Sequence, residues 1–319
     1  MRRALCVGID NYKFGSLAGC VNDAKKMRSI LQRHQNNTPN FDCKLLLAPL
    51  GCKDDIVTRR SLRESLELLF KEPADLVLLH FSGHGTVNNL DGFVVTQDAT
   101  SYDEGVAMSD ILKQANDSKA TEIIILLDCC FSGNLGNIPV VDNSKAQLRE
   151  GVSILTASRG DQPSVEENGG GIFTSLVCDA LDGGAADLLG EVTAPAIYAF
   201  VEAALGAWDQ RPLFKSHVSR LTSLRQCTPP IERSIIQNIP MLFPVPAEDI
   251  SLDPGFEKTS TCPNALKCAI FCQLQALNRV HLVTPIGAEH MYDAAMQSLS
   301  CRLTPTGRYY WRLANSGRV

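Results

Sequence analysis

Short, nearly continuous apolar runs recur along the first 226 residues and alternate with segments of helical periodicity. The runs are ALCVGID (4–10), CKLLLA (43–48), ADLVLLHFSGHG (74–85), ATEIIILLDCC (120–130), GVSILTAS (151–158) and, as a sixth candidate, PLFKSHVS (212–219). Strands buried on both faces have this composition, and strands that alternate with helices form parallel sheets. The pattern therefore predicts an α/β fold, a three-layer sandwich around a mainly parallel six-stranded sheet.

Helical periodicity fills the spaces between these runs. It predicts helices at 22–34, 58–71, 108–115, near 171–183 and at 195–207, with a hairpin arm at 91–98.

The sequence changes character after about residue 226. A proline-rich stretch predicts a linker over 227–245, and helical periodicity returns at about 263–278, 287–299 and 305–315. We therefore expect one domain over 1–226 and a small, mainly helical accessory domain over 246–319. The segment TPTGRYYWRL within it resembles a helix opening in a winged-helix-like module.

Composition and charge narrow the function classes. The chain has 319 residues, a net charge of −5 and a pI near 5.7, which give no reason for non-specific attraction to nucleic acid or anionic membranes. The amino-terminal apolar run is interrupted at Asp10, and no run of about 18 apolar residues follows. We expect a cytoplasmic protein whose 12 cysteines stay reduced and serve mostly as core residues.

Two glycine-flanked polar stretches, HFSGHG (80–85) and DCCFSG (128–133), end the third and fourth apolar runs. If these strands are neighbours, the two loops lie side by side at the carboxyl edge of the sheet, and His84 can meet a cysteine. A cysteine needs such a base because the thiolate is its nucleophilic form. Each stretch alone also fits a core role, and we interpret His80, in the body of the strand, as a core residue.

These stretches together resemble the motifs of the caspase-like cysteine peptidases (family C14), most closely the metacaspase branch. The segments GIDNYKFGSLAGCVNDA and QRPLFKSHVSRLTSLR (210–225) resemble further metacaspase patterns, so the match covers roughly residues 1–226. The resemblance implies a caspase-like sandwich and a cysteine endopeptidase. It makes Cys130 the nucleophile and His84 the acid–base group, with Cys129 in the core. Backbone N–H groups of Gly85 and Cys130 would form the oxyanion hole.

Three further residues match the positions that line the metacaspase S1 pocket: Asp23, Ser82 and Asp128. Two carboxylates in one pocket favour a basic P1 side chain, which implies cleavage after Arg or Lys. Each acid has a structural alternative. Asp23 can lie in the first turn of a helix, where acids are favoured, and Asp128 can orient a turn.

Many metacaspases are activated by calcium through an acidic cluster. The residues in the corresponding region are Asp91, Asp98, Asp103 and Glu104, but the stretch NLGN (134–137) lacks an acid that the family pattern leads us to expect. Calcium ligands form oxygen-rich sets of six to eight. We therefore favour calcium independence and expect no cofactor.

Thiols in the accessory domain raise the question of zinc. Cys268 and Cys272 lie at i and i+4 of a predicted helix, near Cys262, His281 and His290. Their spacing matches no standard zinc pattern, and apolar residues interleave with them. We expect a core-facing helix and no metal.

The polar stretch IPVVDNSKAQLREG (138–151) lies where caspase-like enzymes have a processing loop. Its basic residues, Lys145 and Arg149, are candidate self-cleavage sites, and an ordinary surface loop is an equal alternative.

The expected partners are a protein or peptide substrate and, through the accessory domain, a sensor or effector protein. No membrane partner is expected. A catalytically silent adaptor is the competing function class. A third is a nucleic-acid-binding regulator that uses the basic, aromatic tail around Arg302, Arg308, Tyr309 and Trp311. We consider nucleic acid less favoured than a helix whose aromatics pack on their own domain.

Overall fold

The computed structural model describes residues 1–52, 54, 56–88, 91–101, 103–129, 131–132, 148–157, 166–167, 170–205 and 212–319. The chain divides into two compact units. Unit 1 comprises Met1–Ala186 and Glu191–Cys227, and unit 2 comprises Asp187–Gly190 and Thr228–Val319.

Unit 1 alternates strands with helices, as the apolar runs predicted. Its elements in chain order are β1 (Arg2–Ile9), α1 (Cys20–Leu31), β2 (Asp42–Ala48), α2 (Arg59–Lys71), β3 (Leu76–Ser82), β4 (Gly85–Val87), β5 (Gly92–Thr100), β6 (Asp103–Ala107), α3 (Met108–Asp117), β7 (Glu122–Asp128), β8 (Phe131–Ser132), β9 (Val152–Thr156), β10 (Glu166–Glu167), β11 (Gly170–Gly171), α4 (Ile172–Asp179), β12 (Glu191–Val192), α5 (Ala194–Leu205), β13 (Leu213–His217) and β14 (Arg225–Gln226). A π-helical turn, Ala180–Gly184, follows α4.

The central sheet of unit 1 has six strands in the order β13-β9-β7-β3-β1-β2. All neighbours are parallel except β13, which runs antiparallel to β9. The predicted mainly parallel six-stranded sheet is therefore confirmed. A smaller sheet has the strand order β6-β5-β4-β8. It continues from the carboxyl ends of β3 and β7, because only two residues separate β3 from β4 and two separate β7 from β8.

Each face of the central sheet packs on helices. The near-continuous apolar strands alternate their side chains between faces, so both faces are hydrophobic. One core joins Val77 and Leu79 to apolar side chains of α2 and α3, and the other joins Leu76 and Leu78 to those of α1, α4 and α5. This is the three-layer sandwich that the sequence predicted.

Unit 2 is mainly helical around a three-stranded antiparallel sheet. Its elements are α6 (Arg233–Gln237), α7 (Ile239–Leu242), β15 (Ile250–Ser251), a 3₁₀ turn (Pro254–Phe256), α8 (Ala265–Arg279), β16 (Val283–Ile286), α9 (Met291–Met296), β17 (Ser300–Leu303) and α10 (Pro305–Asn315), with the strand order β15-β17-β16. The helix α9 joins β16 to β17, so these strands do not form the hairpin wing that a winged-helix-like module implies.

The prediction of a linker over 227–245 is wrong, because the segment is folded. It forms α6 and α7 and buries Ile236, Ile239 and Phe243 in the core of unit 2. Its prolines do not prevent this, because Pro240 lies in the first turn of α7, where its missing N–H costs no helical hydrogen bond.

The aromatic tail packs on its own unit. Trp311 donates its indole N–H to the Phe243 carbonyl oxygen at 2.7 Å, and Tyr310 is buried. Cys268 is also buried, whereas Cys262 and Cys272 are exposed, so the two thiols of α8 do not share one environment. Among the described residues, no helix is long and apolar enough to cross a membrane.

Candidate active site

The sheet brings the two motif loops together. The parallel strands β3 and β7 are neighbours, and Ser82 lies opposite Asp128 at their carboxyl ends. A few residues further along each loop, Gly85 lies opposite Phe131 in the β4–β8 pair. The HFSGHG and DCCFSG loops therefore run side by side, as the sequence predicted. Cys130 itself lies outside the described residues; its neighbours Cys129 and Phe131 are described.

Cys129 and Asp128 face opposite sides of the sheet. Cys129 is buried in the core that contains α2 and α3, whereas the Asp128 carboxylate bonds to the amino-terminal turn of α4 on the other side. Alternation along an extended chain requires this arrangement. The prediction that Cys129 packs in the core is confirmed.

A backbone carbonyl orients the His84 imidazole. Nε2 lies 2.6 Å from the Gly15 carbonyl oxygen. A carbonyl oxygen only accepts, so Nε2 carries the proton, and Nδ1 of the neutral ring keeps the lone pair that a general base needs. The ring also contacts two aromatic side chains, with centroid distances of 4.6 Å to Tyr12 and 5.6 Å to Phe14.

Tyr12 connects the His84 loop to the small sheet. Its hydroxyl accepts the His84 backbone N–H at 3.1 Å and donates to the Val95 carbonyl oxygen at 3.2 Å. Burial raises the pKa of Tyr12 well above its usual value, so this hydroxyl keeps its proton. A Cβ atom at Gly83 would lie only 2.5 Å from the Tyr12 oxygen. The glycine that precedes His84 is therefore required by close packing.

The three residues predicted to line the S1 pocket lie together. Asp23 accepts a hydrogen bond from the Ser82 hydroxyl at 2.8 Å and from the Gly171 N–H at 3.1 Å. Asp128 accepts from both the hydroxyl and the N–H of Thr174 through Oδ2, at 2.7 and 3.1 Å. Both carboxylates are only 4% exposed. The arrangement is a compact, nearly buried pair of acids at the carboxyl edge of the sheet.

The structure bears on the two structural alternatives for these acids. Asp23 does lie in the first turn of α1, but Asp10 accepts the N–H groups of Cys20 and Val21 at the start of that helix. The Asp23 carboxylate is turned instead toward Ser82. Asp128 does hold a turn, because it accepts the Thr174 N–H in the first turn of α4. A structural role is therefore observed for Asp128 beside any role in the pocket.

Burial raises the pKa of Asp23 from 3.8 to about 7, and the nearby charge of Asp128 contributes in the same direction. Hydrogen bonds from Gly171 and Ser82 act against this rise. A positive group that entered the pocket would favour the ionised form of Asp23, because an opposite charge lowers the pKa of a carboxyl.

Strand β11 covers the acid pair. A Cβ atom at Gly171 would lie 2.2 Å from Oδ2 of Asp128 and 3.1 Å from Oδ2 of Asp23, and one at Gly170 would lie 2.8 Å from Oδ1 of Asp23. Only glycine allows the backbone to approach two carboxylates this closely. On this side, the Gly170–Gly171 backbone lies directly against both acids.

Several residues of this site were not predicted from the sequence, namely Tyr12, Gly15, Gly171 and Thr174. Each acts through a contact between segments that are distant in the chain. The signal that could have found two of them is the GGGIFT stretch at 169–174, where glycines precede a predicted helix and a threonine follows.

Three of the four acids considered for calcium binding have partners within the protein. Asp91 accepts the N–H groups of Gly92 and Ser109. Asp98 accepts the Arg59 N–H at 2.9 Å, and Asp103 pairs with the Arg59 guanidinium. Within the described ranges, no three His, Cys, Asp or Glu side chains form a group that could hold a metal ion. Calcium independence stays a prediction.

Of the two candidate self-cleavage residues, only Arg149 is among the described residues. Lys145 lies outside the described residues. Arg149 donates to the carbonyl oxygens of Ala115, Ala120 and Glu150, and burial lowers its pKa. Cleavage after Arg149 would require the guanidinium to leave all three carbonyls, so its contacts indicate a structural role.

Comparison with known proteins agrees with this arrangement. The caspase domain of the peptidase C14 family matches residues 1–222. Two curated relatives are Metacaspase-6 of Arabidopsis thaliana, 32% identical over 47% of this chain and 41% of the relative, and Metacaspase-1 of Meyerozyma guilliermondii, 30% identical over 47% of this chain and 39% of the relative. The matched segment thus spans less than half the length of either relative.

The crystal structure of Caspase-1 from Spodoptera frugiperda superposes with a TM-score of 0.51 at 13% identity, covering 71% of this chain and 90% of that chain. This likeness shows the fold alone. The domain match covers well over half of the chain, from its first residue through β13. The chain belongs to the caspase-domain family of peptidases, family C14.

Proposed function

We propose that the chain is a cysteine endopeptidase in which Cys130 and His84 form the catalytic dyad. The observation that carries this proposal is the pairing of the two motif loops, with Ser82 opposite Asp128 and Gly85 opposite Phe131. In sequence, residue 130 falls between Asp128 and Phe131, and His84 falls between Ser82 and Gly85 in the connection from β3 to β4. The hydrogen bond from Nε2 to the Gly15 carbonyl oxygen supports the role of His84, because in the neutral ring it places the lone pair on Nδ1.

The reaction follows from these roles. Nδ1 of His84 takes the thiol proton, and the Cys130 sulfur attacks the scissile carbonyl carbon. Backbone N–H groups of Gly85 and Cys130 stabilise the oxyanion of the tetrahedral intermediate. The carbon–nitrogen bond then breaks, and His84 returns the proton to the leaving amine. Water, activated by the same imidazole, hydrolyses the thioester and regenerates the thiol.

We further propose a preference for Arg or Lys at P1. The support is the pair of nearly buried carboxylates of Asp23 and Asp128, because a buried cationic side chain requires such partners. The substrate cation would take the place of the Gly171 N–H as a donor to Asp23, after β11 moves away from the acids. Protein or peptide chains with exposed basic residues are thus the expected substrates.

A catalytically silent adaptor is the second candidate, and the covered acid pair is the observation that favours it. A chain in which Gly170 and Gly171 stay over both carboxylates could bind a partner without cleaving it. Recruitment of a sensor or effector protein by unit 2 also stays a prediction.

One experiment separates the peptidase from the adaptor. The purified chain is incubated, with and without calcium, with fluorogenic peptides that carry Arg, Lys, Leu or Asp at P1. Cleavage after Arg or Lys that disappears in Cys130→Ala and His84→Ala, and persists in Cys129→Ala, supports the proposal. Cleavage after Leu or Asp would keep the dyad and overturn the assignment of the pocket. No cleavage under any condition would favour the adaptor.

A further inference from the structure

His80 belongs to the HFSGHG motif but has no part in the chemistry above. It lies in the body of β3 with 0% exposure. Its Nε2 lies 3.1 Å from Oγ1 of Thr174, and its Nδ1 has no hydrogen-bond partner among the described residues. Burial lowers the pKa of His80 to about 3, so the ring is neutral. A neutral imidazole in an apolar core is costly unless its N–H group is bonded.

Thr174 connects this imidazole to the acid pair. The residue is fully buried in the first turn of α4 and donates both its hydroxyl and its N–H to Oδ2 of Asp128. A hydroxyl has a single hydrogen, and Thr174 donates it to Asp128. The hydroxyl oxygen must then accept the proton of Nε2 from His80. The unpartnered Nδ1 agrees with this tautomer, because it carries a lone pair and no hydrogen.

We propose that Thr174 and His80 are positioning residues for Asp128. A buried line of hydrogen bonds from His80 through Thr174 fixes where this carboxylate lies. The inference rests on the proposed basic P1 pocket and deepens it. His80 acts on Asp128 only through the Thr174 hydroxyl, and neither residue touches substrate. This series of hydrogen bonds explains why a histidine occupies the core of β3, where an apolar residue would pack equally well.

The first test is the kinetics of Thr174→Val in the full chain with the P1-Arg peptide. Valine keeps the shape of threonine but removes the hydroxyl, so Asp128 loses one donor and the His80 N–H loses its acceptor. A hydrogen bond to a charged group is worth about a tenfold change in binding. We expect KM to rise about tenfold with kcat within about twofold.

Two variants control this test. Thr174→Ser keeps the hydroxyl and should restore KM to the wild-type range. Ser153→Ala also removes a buried hydroxyl, which lies in β9 and bonds to Ser216 at 2.8 Å. Ser153 lies toward the amino end of its strand, away from the acids, so KM and kcat should not change.

The second test is nitrogen NMR of the full chain labelled at histidine, with the His80 signal assigned through His80→Gln. We expect the wild type to show the neutral Nε2–H tautomer. Asp128→Asn should shift the His80 signal, because the two residues communicate through Thr174. In the Thr174→Val background, Asp128→Asn should leave that signal unchanged. A merely structural threonine would not transmit this change.

The outcomes of the two tests are separable. Wild-type cleavage after Arg with an unchanged KM in Thr174→Val overturns the inference and leaves the proposed function intact. A chain that cleaves no basic peptide overturns the proposed specificity, and the NMR experiment then decides the inference alone. An Nδ1–H tautomer, or a His80 signal that does not respond to Asp128→Asn, overturns it. A response that depends on Thr174 supports it.

Discussion

The raised pKa of Asp23 predicts a specific pH dependence of stability. Burial and the charge of Asp128 raise this pKa from 3.8 to about 7 in the folded chain. An acid with a raised folded pKa binds its proton more tightly when folded, so folding loses stability as pH rises from the unfolded to the folded pKa. The loss is absent below about pH 4 and complete above about pH 7. Asp23→Asn, which cannot ionise, should remove it.

The size of the effect follows from the shift. About three pKa units at about 1.4 kcal/mol per unit give an upper value of about 4 kcal/mol. The carboxylate retains some solvent contact, and its hydrogen bonds from Ser82 and Gly171 suit an asparagine less well. We therefore expect about half of this, or about 2 kcal/mol, as the gain in the free energy of unfolding of Asp23→Asn above about pH 8.

Urea unfolding followed by circular dichroism at about pH 5 and about pH 8.5 measures this gain. Asp23→Asn should exceed the wild type at the higher pH, and the difference should narrow at the lower one. Asp42→Asn, which changes an exposed acid on β2, controls for the loss of one negative charge. Equal pH dependence of the wild type and Asp23→Asn would refute the assignment of a proton to this carboxyl near neutral pH.

Three further substitutions test individual contacts. Gly83→Ala would place a Cβ atom 2.5 Å from the Tyr12 hydroxyl. It should lower kcat at least about tenfold by displacing the His84 loop, and wild-type kcat would contradict this reasoning. Arg149→Met removes three bonds to backbone carbonyls and should cost about 2–3 kcal/mol in urea unfolding, whereas loss of self-processing at unchanged stability would indicate a cleavage site instead. Trp311→Phe removes the bond to the Phe243 carbonyl and should lower the unfolding free energy by about 1 kcal/mol; an unchanged value would show that this bond contributes nothing net.

The strands of unit 1 were predictable because their composition leaves few alternatives. A run such as EIIILLD removes its apolar side chains from water only when both faces of the strand are buried. It forms β7 over Glu122–Asp128. The elements of unit 2 were harder to predict because their local sequence signals are weak. Its strands β16 and β17 have four residues each, and the prolines of 227–245 obscured two short helices. The burial of Ile236 and Ile239 against distant side chains outweighs those local signals.

The residues of the candidate site also differ in how far the sequence could predict them. Ser82 and Asp128 end buried strands and His84 follows one of them, so the order of the sheet brings them together. Asp23 was placed by resemblance, and its position beside Ser82 agrees with it. The glycines and threonine of 169–174 could mark Thr174 as a candidate, but they do not identify its partner, a carboxylate more than forty residues away in the chain.

The side-chain alternation along β7 has a consequence for how this chain can change. Asp128 and Cys129 lie on opposite sides of the sheet, one among the acids and the other in the core. Deleting or inserting a single residue within Ile123–Leu127 would exchange those two environments, burying a carboxylate among apolar side chains and offering a thiol in place of the acid. The position of the acid and the packing of the core therefore depend on the same strand length, and we expect natural variation here to be confined to substitutions.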